Sequence, residues 1–221
     1  GGEQPGDKVA LTEGTDYAAL KSEEVSEQGW AKAFAASSYK NYTAKISLTH
    51  KEHSGEQVLF QKLGSEGAFV YYNGGSAYDM YVYDKDGKEH YAMTLADGSQ
   101  SSDLPESMMV DGKPILMQYI CFCPDFSALY EKFTYDDKNG VYVFNGTGEN
   151  DVLETSGKEY FVLGGASKYT AVEVKIVNGL IAYVKATDTS KNVYETKFYD
   201  FDSTEVTLPD VSSGGEQGGS D

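Results

Sequence analysis

Apolar and polar residues alternate along most of this chain, and the alternation is clearest towards its end. Val172, Val174 and Ile176 are interleaved with Glu173, Lys175 and Val177, a period of two with one largely apolar face. Asn178-Gly179 follows, the pair that a two-residue type I′ hairpin turn favours. The pattern predicts strands over 168–177, 180–187 and 193–201, then an extended tail ending at Pro209, which cannot donate to a continuing ladder. A meander of this kind constrains the fold class well and names no substrate.

The same period runs earlier. Tyr42, Ala44, Ile46 and Leu48 alternate with Thr43, Lys45, Ser47 and Thr49. Further strands are predicted over 56–63, 68–72, 77–84 and 88–95, each followed by a short polar turn, as in an antiparallel meander. Ahead of them, 16–39 is the best helical territory. Ser26 stands at a cap position, and Trp30, Ala33, Phe34 and Ser37 follow helical spacing. Between 96 and 132 the rhythm breaks. Pro105, Pro114 and Pro124 punctuate an apolar stretch without a period of two, which predicts short helices near 114–121 and 125–132. Strands resume at 133–135, 141–145 and 159–163.

Helix, five strands, a helical insertion and five or six more strands imply an α+β fold, since a sheet and its helices must hide their apolar faces on each other. About ten strands in one open antiparallel sheet curl strongly. The expectation is a half-barrel with helices packed on its concave face, a single domain over 16–209. Gly-, Ser- and Glu-rich ends, 1–15 and 210–221, read as a flexible tether and an acidic tail.

Charge narrows the partners. The chain has 18 basic residues, all lysine, against 35 acidic ones, a net charge of −17. Such a surface repels phosphate backbones, so no nucleic-acid partner is expected, and it disfavours docking on an anionic membrane face. No run approaches the length of a membrane span. The start at Gly1, without a charged-then-apolar leader, is read as a targeting segment already removed. The expected molecule is a monomer that meets a membrane only through an N-terminal lipid anchor.

Candidate chemistry is sparse. Cys121-Phe122-Cys123 offers two thiols, too few for a zinc site without histidines, which lie far off at His50, His53 and His90. Buried reduced packing, a strained disulfide and a redox pair all remain open for it. His50 and His53 with Glu52 or Glu56 read as a surface accident. Asp84-Lys85-Asp86-Gly87 begins like a calcium loop but lacks the distal glutamate at the required spacing. No nucleophile elbow, phosphate loop or dinucleotide fingerprint occurs, and nothing selects two carboxylates as a glycosidase pair. No enzyme activity, cofactor or metal is expected.

One resemblance adds to this. Trp30-Ala31-Lys32-Ala33-Phe34 before Asn41-Tyr42-Thr43, Leu129-Tyr130-Glu131-Lys132-Phe133-Thr134-Tyr135-Asp136 before Val141-Tyr142, and the ending from Tyr199 to Pro209 together resemble the LolA-like lipoprotein-carrier superfamily. The likeness is to its LppX/LprG-type branch and to Gram-positive cell-surface lipoproteins, and it spans roughly 16–209. It implies a half-barrel with a helical lid around an apolar cavity that accepts acyl chains, in a secreted protein held at the cell surface. On that reading Trp30, Phe34, Met109, Leu116, Ile120 and Phe122 are the candidate ligand contacts, each equally explicable as core. A family role that depends on an internal arginine cannot apply, because this chain has none. The alternative is a protein-interaction or envelope-sensor module with a filled core and no ligand.

Overall fold

The computed structural model describes residues 8–49, 56–63, 69–73, 78–85, 88–95, 100–101, 106, 109–114, 123–155 and 168–205. The first regular element is one short helix, α1, Glu27–Ala33. Ser26 caps it, its side chain accepting from the Gly29 amide, with Glu27 in the first turn and Lys32 in the last. The helix stops because Tyr39 reaches back. Its hydroxyl donates to the Ala33 carbonyl at 2.6 Å and accepts from the Ile181 amide at 2.8 Å, so an orphan helix carbonyl and a sheet amide share one phenol. A 3-10 turn, Ala36–Ser38, leads on to the sheet.

Helix over all of 16–39 is therefore a correction. Asp16 starts a turn, accepting from the Ala18 and Ala19 amides, but the turn is not continued. From Lys8 to Val25 the chain is instead a strap laid on the sheet. The Ser22 amide donates to Gly140 O and the Glu23 amide to Ile176 O, both at 2.8 Å. These tertiary partners outweigh a weak helical propensity. The strap also begins before the expected domain start: Leu11 is buried, and its carbonyl accepts from the Asp200 amide.

The strands, in chain order, are β1 Tyr42–Thr49, β2 Glu56–Leu63, β3 Phe69–Asn73, β4 Tyr78–Lys85, β5 Lys88–Leu95, β6 Gln100–Ser101, β7 Met109–Val110, β8 Lys113–Pro114, β9 Thr134–Asp136, β10 Val141–Asn145, β11 Leu153–Glu154, β12 Lys168–Val177, β13 Leu180–Asp188 and β14 Val193–Tyr199. Among the described residues twelve of them form one open sheet in the order β6-β5-β4-β3-β2-β1-β14-β13-β12-β10-β9, with β11 also on β12. The pairs are antiparallel. Two meanders thus meet side by side, the first strand of one against the last of the other, with Thr43 opposite Tyr199 and Thr49 opposite Val193. Strands β7 and β8 form a separate small hairpin.

In the insertion, the helix expected over 125–132 is a 3-10 segment, Ser127–Lys132, broken at Leu129. Six residues give too few turns for a stable α-helix, and Tyr130 is held by a hydrogen bond from its hydroxyl to Val25 O at 2.9 Å. Pro114, expected to open another helix, sits in β8; 115–122, the expected strand at 159–163 and Pro209 lie outside the described residues.

One face of the C-terminal sheet carries Val172, Val174, Ile176, Val184, Ala186, Tyr194 and Phe198, all buried with α1 in a single core. The other face is covered by the strap, where Leu11 and partly buried Leu20 pack on Val177, Ala182 and Tyr199. Coverage on both sides is why Val174 to Val177 are buried in succession, Lys175 among them. Its ammonium donates to the carbonyls of Tyr17 at 2.6 Å and Ala18 at 3.2 Å and lies 5.5 Å from the Tyr183 ring. Burial lowers its pKa. Replacing Lys175 with Met keeps the bulk and strands both carbonyls. The expected loss is about 1–3 kcal/mol in urea unfolding, with faster proteolysis between residues 8 and 25.

Candidate functional site

The space between α1 and the sheet is where a ligand was expected, and its geometry follows from Trp30. Helical spacing turns Trp30 and Ala33 to the sheet, and both are fully buried. The indole lies 4.7 Å from Phe133, 5.0 Å from Phe34 and 5.1 Å from Tyr142, ring centre to ring centre. Its Nε1 donates to Phe126 O at 2.8 Å, which satisfies the one polar atom of a buried indole. Phe126, itself inaccessible, contacts Phe133 at 5.7 Å and Tyr169 at 5.5 Å. These are the spacings of direct aromatic contact. Around Trp30 the layer is filled with side chains.

Of the candidate contacts, Trp30 and Phe34 are therefore brought together, with Phe126, Phe133, Tyr142 and Tyr169, as packed core. The β-strand period gives Tyr142 away as an inward residue; Tyr169 joins the core only through a register shift between Tyr169 and Ala171, and no local pattern ties Phe126 to Trp30. Met109 lies in β7, opposite Pro114. Leu116, Ile120 and Phe122 lie outside the described residues, as do Cys121, His50, His53 and the Asp86-Gly87 end of the acidic turn. Cys123 is buried, its thiol 3.5 Å from Pro124 O.

Two depressions in the described surface lie elsewhere. One of about 230 Å³ is lined by Val143, Phe144, Asn145, Ala171, Val172, Glu173, Lys185 and Thr187. The other, about 580 Å³ and open to solvent, is ringed by Glu131, Lys132, Asp136 and Asp151. Neither has the apolar lining of an acyl-chain site. Among the described residues no group of three or more His, Cys, Asp or Glu is placed to hold a metal ion, and no helix is long and apolar enough to cross a membrane.

No family model and no curated protein matches the chain. A solved structure of a LolA superfamily protein from Nitrosomonas europaea is similar over 85% of this chain and 96% of that one, with 8% sequence identity and a TM-score of 0.23. An alignment that loose carries no argument about function.

The buried polar groups nearby are all engaged in holding the chain. The Asp188 carboxylate accepts from the Ser190 and Asn192 amides and the Asn192 side chain, each at 2.9 Å, and from the Tyr194 hydroxyl at 3.1 Å. A carboxylate with four donors is spent on closing the β13–β14 turn. The hydroxyls of Tyr130 and Tyr142 converge on Val25 O, and Tyr135 donates to Ser22 O, pinning the strap where it enters α1.

Two tests follow from this packing. Trp30→Ala is expected to cost about 3–5 kcal/mol in denaturant unfolding, and Trp30→Phe clearly less. The tyrosines set the pH behaviour. Burial pushes Tyr194 and Tyr199 up to about 12 and raises Tyr17, Tyr39 and Tyr183 further. A raised native pKa means that the unfolded chain loses its phenolic protons first, near the ordinary value of about 10. Lys175, lowered by burial, acts in the opposite sense, one group against many. Stability in pH-jump unfolding is therefore expected to hold to about pH 9 and fall steeply between about 10 and 12.

Proposed function

We propose that the chain is a non-enzymatic binding protein for one acyl chain or a similar apolar ligand, held on the core side of the sheet over β1 to β5. The filled layer at Trp30 moves the expected site along the same face. The observation that supports it is the strand register. Residues directly opposite in an antiparallel pair lie on one side of the sheet. Ala44 lies opposite Phe198 of the core and opposite Phe60. Phe60 lies opposite Tyr72, Tyr72 opposite Met80 and Met80 opposite Met93. The adjoining row runs through Val70, Val82 and Tyr91.

Four inter-strand steps make this row roughly 19 Å long. An extended hydrocarbon advances about 1.25 Å per carbon at ordinary bond lengths and angles, so roughly fifteen carbons match it. Methionine is an adaptable residue type, and Met80 and Met93 hold paired register positions in this row. On this reading the half-barrel curl, the lid role of the insertion and a cell-surface location outside the cell belong to the same proposal.

The packing of Trp30 favours a second reading, a protein-binding or envelope-sensing module whose core is full throughout. Native mass spectrometry of protein taken from its own membrane, with a fluorescent fatty acid in titration, separates the two. The first reading expects a co-purifying apolar ligand and binding that Met80→Glu abolishes while the far-ultraviolet dichroism is kept. If neither ligand nor probe binds the unaltered chain, the second reading stands.

A further inference from the structure

Both ends of the strap are fastened to the same two residues, the β12–β13 turn at Asn178 and Gly179. This is a left-handed turn, φ 53° and 74°, and both residues are exposed. The Asn178 side-chain amide treats Val9 as a neighbouring strand would: the Val9 amide donates to Oδ1 at 3.2 Å and Nδ2 donates to Val9 O at 2.8 Å. At the other end, the Glu23 carboxylate accepts from the Asn178 amide at 2.6 Å and the Gly179 amide at 3.3 Å.

Asn-Gly is also the peptide sequence most prone to deamidation, because glycine offers its nitrogen without a side chain in the way. That nitrogen bonds to the asparagine Cγ as the Cγ–Nδ2 bond breaks, and ammonia leaves with the displaced proton. Water then opens the succinimide to aspartate or isoaspartate, with no oxidant or reductant involved. The described Asn-Gly pairs differ in how that nitrogen is held. The Gly140 amide donates to Asp136 O and the Gly146 amide to Thr170 O, both main-chain bonds of 2.8 Å. Gly179 is held by a longer bond, 3.3 Å, to an exposed side-chain carboxylate.

We infer that Asn178 is a deamidation-controlled clip: docking of the strap protects the Asn178-Gly179 bond, and deamidation there releases the strap irreversibly. In the docked state two bonds to Val9 fix Cγ, and Glu23 occupies the attacking nitrogen. Undocking frees both at once. The product carboxylate still accepts from the Val9 amide but has no donor for Val9 O, and it stands beside Glu23, itself held by the two main-chain amides, with like charge, so both fastenings weaken. An isoaspartate adds a methylene to the turn as well.

The test ages the full chain at mildly alkaline pH and maps each Asn-Gly peptide by mass spectrometry, for the unaltered protein and Glu23→Ala. Asn178 is expected to deamidate several-fold faster in Glu23→Ala, with Asn139 and Asn145 unchanged. In a parallel measurement, Asn178→Asp is expected to lower hydrogen-exchange protection at Val9 and Glu23 at least several-fold while Trp30 fluorescence stays native. Equal Asn178 rates in the two proteins, or full protection in Asn178→Asp, overturns the inference.

Discussion

The fold depends on one long-range pairing, β1 against β14. The other strand neighbours are nearer in sequence, most of them joined by short turns, with β10 and β12 linked across 146–167. This one joins Thr43 to Tyr199 and Ala44 to Phe198, and it turns two separate ribbons into one sheet. Closing so long a loop costs entropy before any contact offsets it. The offset lies where the pairing occurs. Ala44, Ile46 and Phe198 are all inaccessible, Tyr39 and Tyr42 stack around Phe198, and the buried hydroxyls of Thr43 and Thr204 share a hydrogen bond on the other side.

Around that seam the two faces of the sheet are handled differently. The core face is closed by aromatic rings on a short helix, where the layer is too crowded near Trp30 to admit a ligand. The opposite face is closed by an irregular strap with one turn at Asp16–Leu20, whose polar backbone is otherwise satisfied largely by tertiary partners such as Lys175, Gly140 and Ile176. The Tyr17 hydroxyl donates to Phe198 O at 2.7 Å, and its ring stacks at 6.2 Å on Tyr183. The strap thus substitutes for a second layer at small cost in residues, and its fastening to an exposed turn makes its release a local event. The net charge of −17 adds self-repulsion over the whole surface.

Much was legible in the chain because strands and hairpin turns are written locally. Alternation at Tyr42–Thr49 and at Val141–Asn145, and the Asn178-Gly179 pair, gave strand positions and one face's membership without any neighbour. The Ser26 cap also worked locally, since side chain and receiving amide are three residues apart. Extending the helical territory over 16–25 misled, because Leu11, Tyr17 and Leu20 meet the sheet from an irregular strap, and sequence alone does not reveal which partner will claim a backbone amide. The candidate site divided in the same way. Trp30 was legible as an anchor, but its partners Phe126, Phe133 and Tyr142 come from distant segments, so nothing local told a filled layer from an open one.

What the sequence determined by itself was an antiparallel, strand-rich molecule with a helix capped at Ser26 and a strongly negative net charge carried without arginine. Periodicity, capping and charge act over a few residues or over the whole composition, and both are visible without coordinates. Tertiary structure alone decided that the two meanders share a sheet, that residues 8–25 form a strap, and that the space beside Trp30 is occupied. Those outcomes turn on contacts between residues far apart in the chain, whose energies are set by shape and register rather than by residue type.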